Sequence, residues 1–327
     1  MKDAFRRKID YLRISITDKC NLRCIYCMPE EGIPLKPHEE ILRFEEILRL
    51  VKIAAGLGIS KIRLTGGEPL VRRGVVSLIR DLTRIPGITD VSLTTNGLLL
   101  TKMGPDLKRA GLKRLNISLD TLEPEKYRSI TRGGSLKQVW EGIETALDLS
   151  FCPVKINTVV MRGINDDEIL DFVRLTYLYP LHIRFIECMP IGEADGWARQ
   201  HLVPQAEIKA RVEEGFKLEL KAETGILGSG PASYYHLSGA LGSVGFISPL
   251  SVHFCPACNR LRLTADGKLR PCLNSQRELD LKGPLREGAN DEKLGEIFLE
   301  AVRKKPQGHL MNETDWNQSR MMYQIGG

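Results

Sequence analysis

The chain has 327 residues, 42% of them hydrophobic and 27% charged, with a net charge of +6. That length builds one large domain or two ordinary ones, and no run of about 18 apolar residues is present to span a membrane. A mild basic excess fits nucleic acid, an acidic surface or a small anionic substrate, and the lack of a long Lys/Arg block argues against a polybasic tail.

The opening stretch, MKDAFRRKIDYLRIS, lacks an apolar segment of signal-peptide length, and the expectation is a cytoplasmic protein. Short apolar, β-branched runs predict strands over 11–17, 61–65, 91–95, 114–120, 154–161 and 183–189. Helical patterns lie between them, over 41–57, 74–83, 105–110, 136–149 and 166–177. Strand then helix, six times over, predicts a parallel sheet with right-handed crossovers, either an open doubly wound sheet or an incomplete barrel. Both arrangements put the active site at the carboxyl ends of the strands. Polar and glycine residues gather there: Thr17-Asp18, Gly66-Gly67-Glu68, Thr94 to Gly97, Ser118 to Asp120, Asn157 and Glu187.

After about residue 190 the rhythm changes. A helix is predicted over 204–214, then strands over 216–220 and 234–237. A hairpin follows at 261–271 around Asp266-Gly267, and a last helix over 291–304. The expected division is a βα core over 1–200 and a smaller α+β region over 201–327.

Eight cysteines without a secretion signal point to metal or redox chemistry rather than disulfides. Cys152 and Cys188 stand alone in apolar strand contexts and are expected to be small buried core residues. Cys20, Cys24 and Cys27 have the spacing C-x3-C-x2-C directly after the first strand. Three thiolates hold a [4Fe–4S] cube with one iron left open, whereas a zinc site would want a second ligand pair. Cys255, Cys258 and Cys272 flank the predicted hairpin, whose turn can return Cys272 to the other two. From this triplet alone, zinc completed by His253 or His236 fits as well as iron.

With Tyr26 before the last cysteine and Gly66-Gly67-Glu68-Pro69 after the next strand, the sequence resembles the radical S-adenosylmethionine (SAM) superfamily. The resemblance implies a partial (βα)6 TIM-like barrel, a [4Fe–4S] cluster on Cys20, Cys24 and Cys27, and SAM on its open iron. Gly66, Gly67 and Glu68 are then expected near the SAM amino group, glycine letting the backbone approach the ligand.

The whole chain also resembles the GTP 3′,8-cyclase family of molybdenum-cofactor biosynthesis. The match runs through CNLRCIYCMPEEG, RLTGGEPLVRR, LTTNGLLL, LNISLD, KINTVVMRGINDDE, IRFIECMPIG, FCPACNRLRLTADGKLRPCL and the closing GG. It implies a second [4Fe–4S] cluster on Cys255, Cys258 and Cys272 whose open iron binds guanine. It further implies GTP contacts from Arg13, Arg63, Thr94, Lys155, Arg184, Arg260 and Arg262, and SAM contacts from Tyr26, Ser118, Asn157 and Met189. Guanidinium forks suit triphosphate oxygens, and charges on barrel strands suggest a filled anionic cavity. Lys61, Arg72 and Arg73 are expected in surface salt bridges.

By the same resemblance Gly326-Gly327 enters the active site, and the chain forms a homodimer. An electron donor such as flavodoxin or ferredoxin serves it, and the product passes to cyclic pyranopterin monophosphate synthase. Neither nucleic acid nor membrane is an expected partner. Two rivals remain: a radical SAM peptide-modifying enzyme with an auxiliary cluster, and a non-catalytic metal-containing RNA-binding protein. The second predicts aromatic residues interleaved with charge, and aromatics are only 6% here, with no such stripe.

Overall fold

The computed structural model describes residues 1–191, 195–223, 230–309, 311 and 320–325. Six parallel strands form its centre: β1 (Tyr11–Ser15), β2 (Lys61–Thr65), β3 (Asp90–Thr95), β4 (Arg114–Ser118), β5 (Val154–Val160) and β6 (Leu181–Glu187). The crossovers carry α1 (Phe44–Gly56), α2 (Val75–Thr83), α3 (Leu100–Arg109), α4 (Pro124–Thr131), α5 (Leu136–Asp148) and α6 (Ile169–Leu178). Along each strand the side chains alternate. One row, with Leu12, Ile14, Ile62, Leu64, Leu93, Leu115, Ile117, Val154 and Ile156, belongs to the fully buried apolar core. The intervening positions, among them Arg13, Arg63, Thr94, Ser118 and Asn157, line an internal cavity. This split positions the site: aliphatic side chains hold the sheet, and polar ones share the opposite face.

The rest of the chain extends the same sheet. It supplies α7 (Asp195–Gln200), α8 (Gln205–Phe216), β7 (Lys221–Glu223), β8 (Ser233–His236), β9 (Ser243–Ile247), β10 (Arg260–Leu263), β11 (Lys268–Arg270), β12 (Leu279–Asp280), α9 (Lys282–Arg286), α10 (Asp291–Arg303) and α11 (Met322–Ile325). β9 pairs parallel with β6, and β10 pairs parallel with β1. Among the described residues the order is β12-β11-β10-β1-β2-β3-β4-β5-β6-β9-β8-β7. The six-stranded partial barrel is thus widened by one parallel strand and two antiparallel strands at each end. None of the described helices is long and apolar enough to cross a membrane.

Several expectations need correcting. The helix expected at 105–110 is the second half of α3, which continues through Pro105 with Leu100 and Leu107 buried. No strand forms at 216–220. α8 runs to Phe216, Lys217 takes a left-handed φ of 51°, and β7 starts four residues later. The β9 run, SVGFI, is interrupted by Gly245, where a Cβ would lie 2.9 Å from the Tyr234 ring; that packing need, and not a turn, selects glycine. Cys152 is exposed, on the turn before β5, whereas Cys188 is buried as expected. Among the described residues Arg72 makes no surface salt bridge. It is half-buried, donates to the carbonyls of Ile16 and Leu42, and stacks 4.2 Å from the Phe44 ring centre. Lys61 does pair with Asp10, at 3.1 Å.

Candidate active site

The loop after β1 carries the first cysteine triplet. Its turn is closed by Cys27 N–H donating to the Cys24 carbonyl at 2.9 Å, and Ile25 N–H pins it to the Ile130 carbonyl of α4 at 3.0 Å. Burial pushes the Cys20 thiol up to about 11. Burial, then the Cys20 charge, pushes Cys27 up to about 12. Cys24 is also raised by burial, then by Cys27 and Asp120. Three thiols whose ionisation is opposed chiefly by burial are a donor set in want of a positive group, which an iron cluster bound by three thiolates would supply.

The glycine motif packs against this loop. Gly67 N–H donates to the Thr17 carbonyl at 2.9 Å, and Glu68 N–H to the Lys19 carbonyl at 2.8 Å. A Cβ on Gly66 would lie 2.4 Å from the Thr17 carbonyl oxygen, and one on Gly67 would lie 2.4 Å from that of Lys19. Glycine is therefore required here by the protein's own cysteine loop, in addition to any ligand. Glu68 is buried and accepts from Leu70 N–H at 2.9 Å, Thr95 Oγ1–H at 2.8 Å and Asn96 N–H at 2.7 Å. Burial outweighs these donors and raises its carboxyl to about 7.

Tyr26 Oη donates to Asp120 Oδ2 at 2.7 Å, and Val159 N–H donates to Asp120 Oδ1 at 2.9 Å. Asp120 thereby ties the cysteine loop to the ends of β4 and β5, with burial raising its carboxyl to about 6. Tyr26, Ser118, Asn157 and Met189 face one cavity. Gly66, Gly67, Glu68 and the first three cysteines lie beside it rather than in its wall.

Across that cavity sit the second triplet and most of the basic set. Cys255, Cys258 and Cys272 line it, together with Arg13, Arg63, Thr94, Arg184, Arg260 and Arg262. Sheet register creates the cluster: Arg262 is opposite Arg13, and Arg13 is opposite Arg63. Thr94 is opposite Asn116, which is opposite Lys155, and Asn157 is opposite Arg184. Lys155 lies behind the cavity wall and donates to Tyr234 Oη at 2.8 Å. Burial, with Arg184, Arg114 and Arg63 nearby, lowers its ammonium to about 6. Burial and Arg260 lower the Arg262 guanidinium to about 9. Thr94 Oγ1, Asn157 Oδ1 and Arg184 Nε are buried with no hydrogen-bond partner among the described residues. Desolvated cations with the unsatisfied Thr94 hydroxyl and Arg184 Nε–H match an anionic ligand that supplies charge and acceptors, while Asn157 Oδ1 calls for a ligand's donor group.

Around the second triplet the charge differs. Burial opposes ionisation of Cys258, but Arg260 and Lys305 lower its thiol to about 6. Lys305 is a residue that sequence reasoning missed. Buried two residues beyond α10, it donates to the Arg260 carbonyl at 2.8 Å and the Pro271 carbonyl at 2.7 Å, joining both arms of the triplet. Nothing in RKKP distinguishes it from its exposed neighbours. Asp120, by contrast, was visible as a strand-end carboxylate. Of the two histidines weighed as zinc ligands, His236 is exposed on β8, while His253 lies beside Cys255 and His309 with ligand atoms within 4.8 Å of one another. Gly326 and Gly327 lie outside the described residues.

Comparison with known proteins gives a consistent picture. The sequence profile of the radical SAM superfamily matches residues 14–176, and that of Molybdenum Cofactor Synthesis C matches residues 181–311. A GTP 3′,8-cyclase of Heliobacterium modesticaldum is 57% identical over the full length of both chains. One of Moorella thermoacetica is 58% identical, again covering both completely. In fold the chain is similar to Streptococcus suis SuiB bound to S-adenosylmethionine, with a TM-score of 0.60 at 15% identity, over 89% of this chain and 68% of that one.

Proposed function

The chain belongs to the GTP 3′,8-cyclase family of radical SAM enzymes, and from that premise we propose how its own residues divide the work. It is a lyase that converts GTP to 3′,8-cyclo-7,8-dihydro-GTP, the first step of molybdenum-cofactor biosynthesis. In this reading Cys20, Cys24 and Cys27 hold one [4Fe–4S] cluster, and Tyr26, Gly66, Gly67, Glu68, Ser118, Asn157 and Met189 hold SAM. Cys255, Cys258 and Cys272 hold a second cluster. Cluster and SAM together would supply a 5′-deoxyadenosyl radical able to remove the C3′ hydrogen atom of GTP; closure from C3′ onto C8, with uptake of one electron and one proton, would then give the 7,8-dihydro product.

The protein's own part is binding and aim. Arg13, Arg63, Arg260 and Arg262, with Thr94, Lys155 and Arg184, take the triphosphate, which relieves their mutual repulsion. Asp120 fixes Tyr26, and with it the cysteine loop, relative to the strand ends that face the substrate. Residues 1–200 form the radical-generating barrel and 201–327 carry the second cluster, with the GTP site built from strand residues of both. The observation that carries the reading is that the second triplet and six of the seven GTP-binding candidates open on the same cavity as Tyr26, Ser118, Asn157 and Met189.

The surrounding system is the one that membership of the family implies. A low-potential donor such as flavodoxin or ferredoxin supplies two electrons per turnover, one for SAM cleavage and one for the cyclised substrate radical, and the setting is the reducing cytoplasm. The enzyme acts as a homodimer and hands its product to cyclic pyranopterin monophosphate synthase. The deciding experiment is anaerobic incubation of reconstituted protein with SAM, GTP and dithionite. The expected products are 5′-deoxyadenosine and a cyclised nucleotide, from protein holding about eight irons and eight sulfides per chain. Deoxyadenosine formed with no change in the nucleotide would refute the reading.

A further inference from the structure

The segment 320–325 touches both halves of the site. Tyr323 and Ile325 are buried, and Met322 lines the cavity. Tyr323 N–H donates to the Cys27 sulfur, and the Ile325 carbonyl accepts from Arg262 Nη1 at 3.4 Å. One turn of chain therefore spans from the first triplet to the phosphate-binding arginines.

What fixes that turn is Arg320. Its Nη1 and Nη2 donate to the two carboxylate oxygens of Asp266 at 3.1 and 3.0 Å. The same guanidinium reaches Glu278, from Nε at 2.6 Å and from Nη2 at 2.7 Å. Both carboxylates are themselves held. Asp266, in the β10–β11 turn, accepts from Thr264 Oγ1–H and pairs with Lys36 at 3.4 Å, while Glu278 pairs with the buried Arg270. Arg320 is mostly buried, with 14% of its side chain exposed, so this fork is far stronger than a solvated ion pair. The hairpin it grips lies between Cys258 and Cys272, so the grip also references the segment to the second triplet.

We propose that Arg320 is a positioning residue: by clamping Asp266 and Glu278 it sets the register in which residues 321–325 lie between the two triplets, and so keeps radical formation coupled to ring closure on GTP. The inference rests on the cyclase reading. With the clamp gone, the Tyr323 and Ile325 contacts lose their registry, and hydrogen removal proceeds on a badly aimed substrate or is wasted.

The test compares wild type with Arg320→Gln under SAM, GTP and dithionite. For Arg320→Gln the expected result is unchanged iron content and a melting temperature lowered but still well above the assay temperature, with about a tenfold rise in 5′-deoxyadenosine formed per cyclised nucleotide, as for loss of one charge-assisted contact. Arg320→Lys, able to reach one carboxylate as a point charge, should recover part of the coupling. The Asp266→Asn, Glu278→Gln double variant should behave like Arg320→Gln while leaving Arg320 in place. The EPR signal of the reduced first cluster, which senses the Tyr323 contact with Cys27, should shift in Arg320→Gln. Wild-type coupling in that variant would overturn the proposal, as would iron loss or a lowered melting temperature that accounts for the whole effect. Wild type making deoxyadenosine but no cyclised nucleotide would sink the cyclase reading instead, and the EPR comparison would still decide the clamp.

Discussion

Arg262 stands directly opposite Arg13 on the neighbouring parallel strand, and both side chains face the cavity. Burial, then the Arg262 charge, lowers the Arg13 guanidinium's affinity for its proton, while Arg262 is itself lowered by burial and then by Arg260. Like charges placed side by side are unfavourable in the empty protein and become useful only when an anion arrives.

Arg262→Leu should therefore have opposite effects on folding and on binding. Removing one member of the pair relieves repulsion, so the substrate-free protein should melt at the same temperature or slightly higher. GTP loses a charged hydrogen-bond partner worth about 1.5–3 kcal/mol, so its Kd should rise about 10- to 100-fold. Calorimetric titration with GTP and a thermal melt check both. Unchanged affinity would remove Arg262 from the phosphate set.

Gly67→Ala should damage the first triplet selectively. Its Cβ would sit 2.4 Å from the Lys19 carbonyl oxygen, one residue before Cys20, so the loop must shift. Such overpacking costs about 1–3 kcal/mol. The expected result is loss of iron from the first site and of SAM cleavage, with iron retained at the second. Gly56→Ala, with nothing within 4 Å of the added carbon, is the control and should be neutral or slightly stabilising. Normal iron loading in Gly67→Ala would disprove the packing argument.

Much of this site was legible in the sequence because its chemistry is local. Cys20, Cys24 and Cys27 lie within one loop, and Gly66 to Glu68 follow the next strand, so spacing alone pairs them. The βα alternation gave a parallel sheet, open or barrelled, because a strand of Leu12 and Ile14 separated by Arg13 shows both of its faces, and the resemblance to the radical SAM superfamily chose the partial barrel. What spacing could not convey was register between distant strands. That Arg262 pairs with Arg13, some 250 positions away, depends on β10 adding parallel to β1, a pairing fixed by tertiary packing. β9 was invisible for a related reason, since Gly245 reads as a turn until Tyr234 is seen lying against it. Lys305 and Arg320 carry no local signal at all; their partners are carbonyls and carboxylates brought up by the hairpin.

The two cysteine triplets should fail differently. Cys24→Ala removes a ligand from the radical-generating site and should abolish SAM cleavage altogether. Cys272→Ala leaves that site whole, so 5′-deoxyadenosine should still form while cyclisation is lost. Iron should drop from about eight to about four per chain in either variant. Iron analysis with chromatography of nucleoside products separates the cases. Full cyclisation by Cys272→Ala would end the substrate-clamp role of the second triplet.

Lys155 makes GTP binding depend on pH in a predictable direction. In the substrate-free protein, burial and the guanidinium groups of Arg184, Arg114 and Arg63 lower its ammonium to about 6, with Asp90 opposing weakly and Tyr234 accepting its hydrogen bond. Between pH 6 and the ordinary lysine range the empty site therefore holds it neutral. A bound triphosphate favours the charged form, so binding takes up about one proton there, and affinity falls as pH rises. The unfolded chain also binds that proton more readily than the folded one, so the stability of the empty protein should rise with pH across the same window. Titration calorimetry at pH 7.5 in two buffers of different ionisation enthalpy measures the uptake directly. Lys155→Met should remove it and flatten the pH dependence of Kd. Uptake that persists in Lys155→Met would assign the proton to another group and leave Lys155 a structural cation behind the wall.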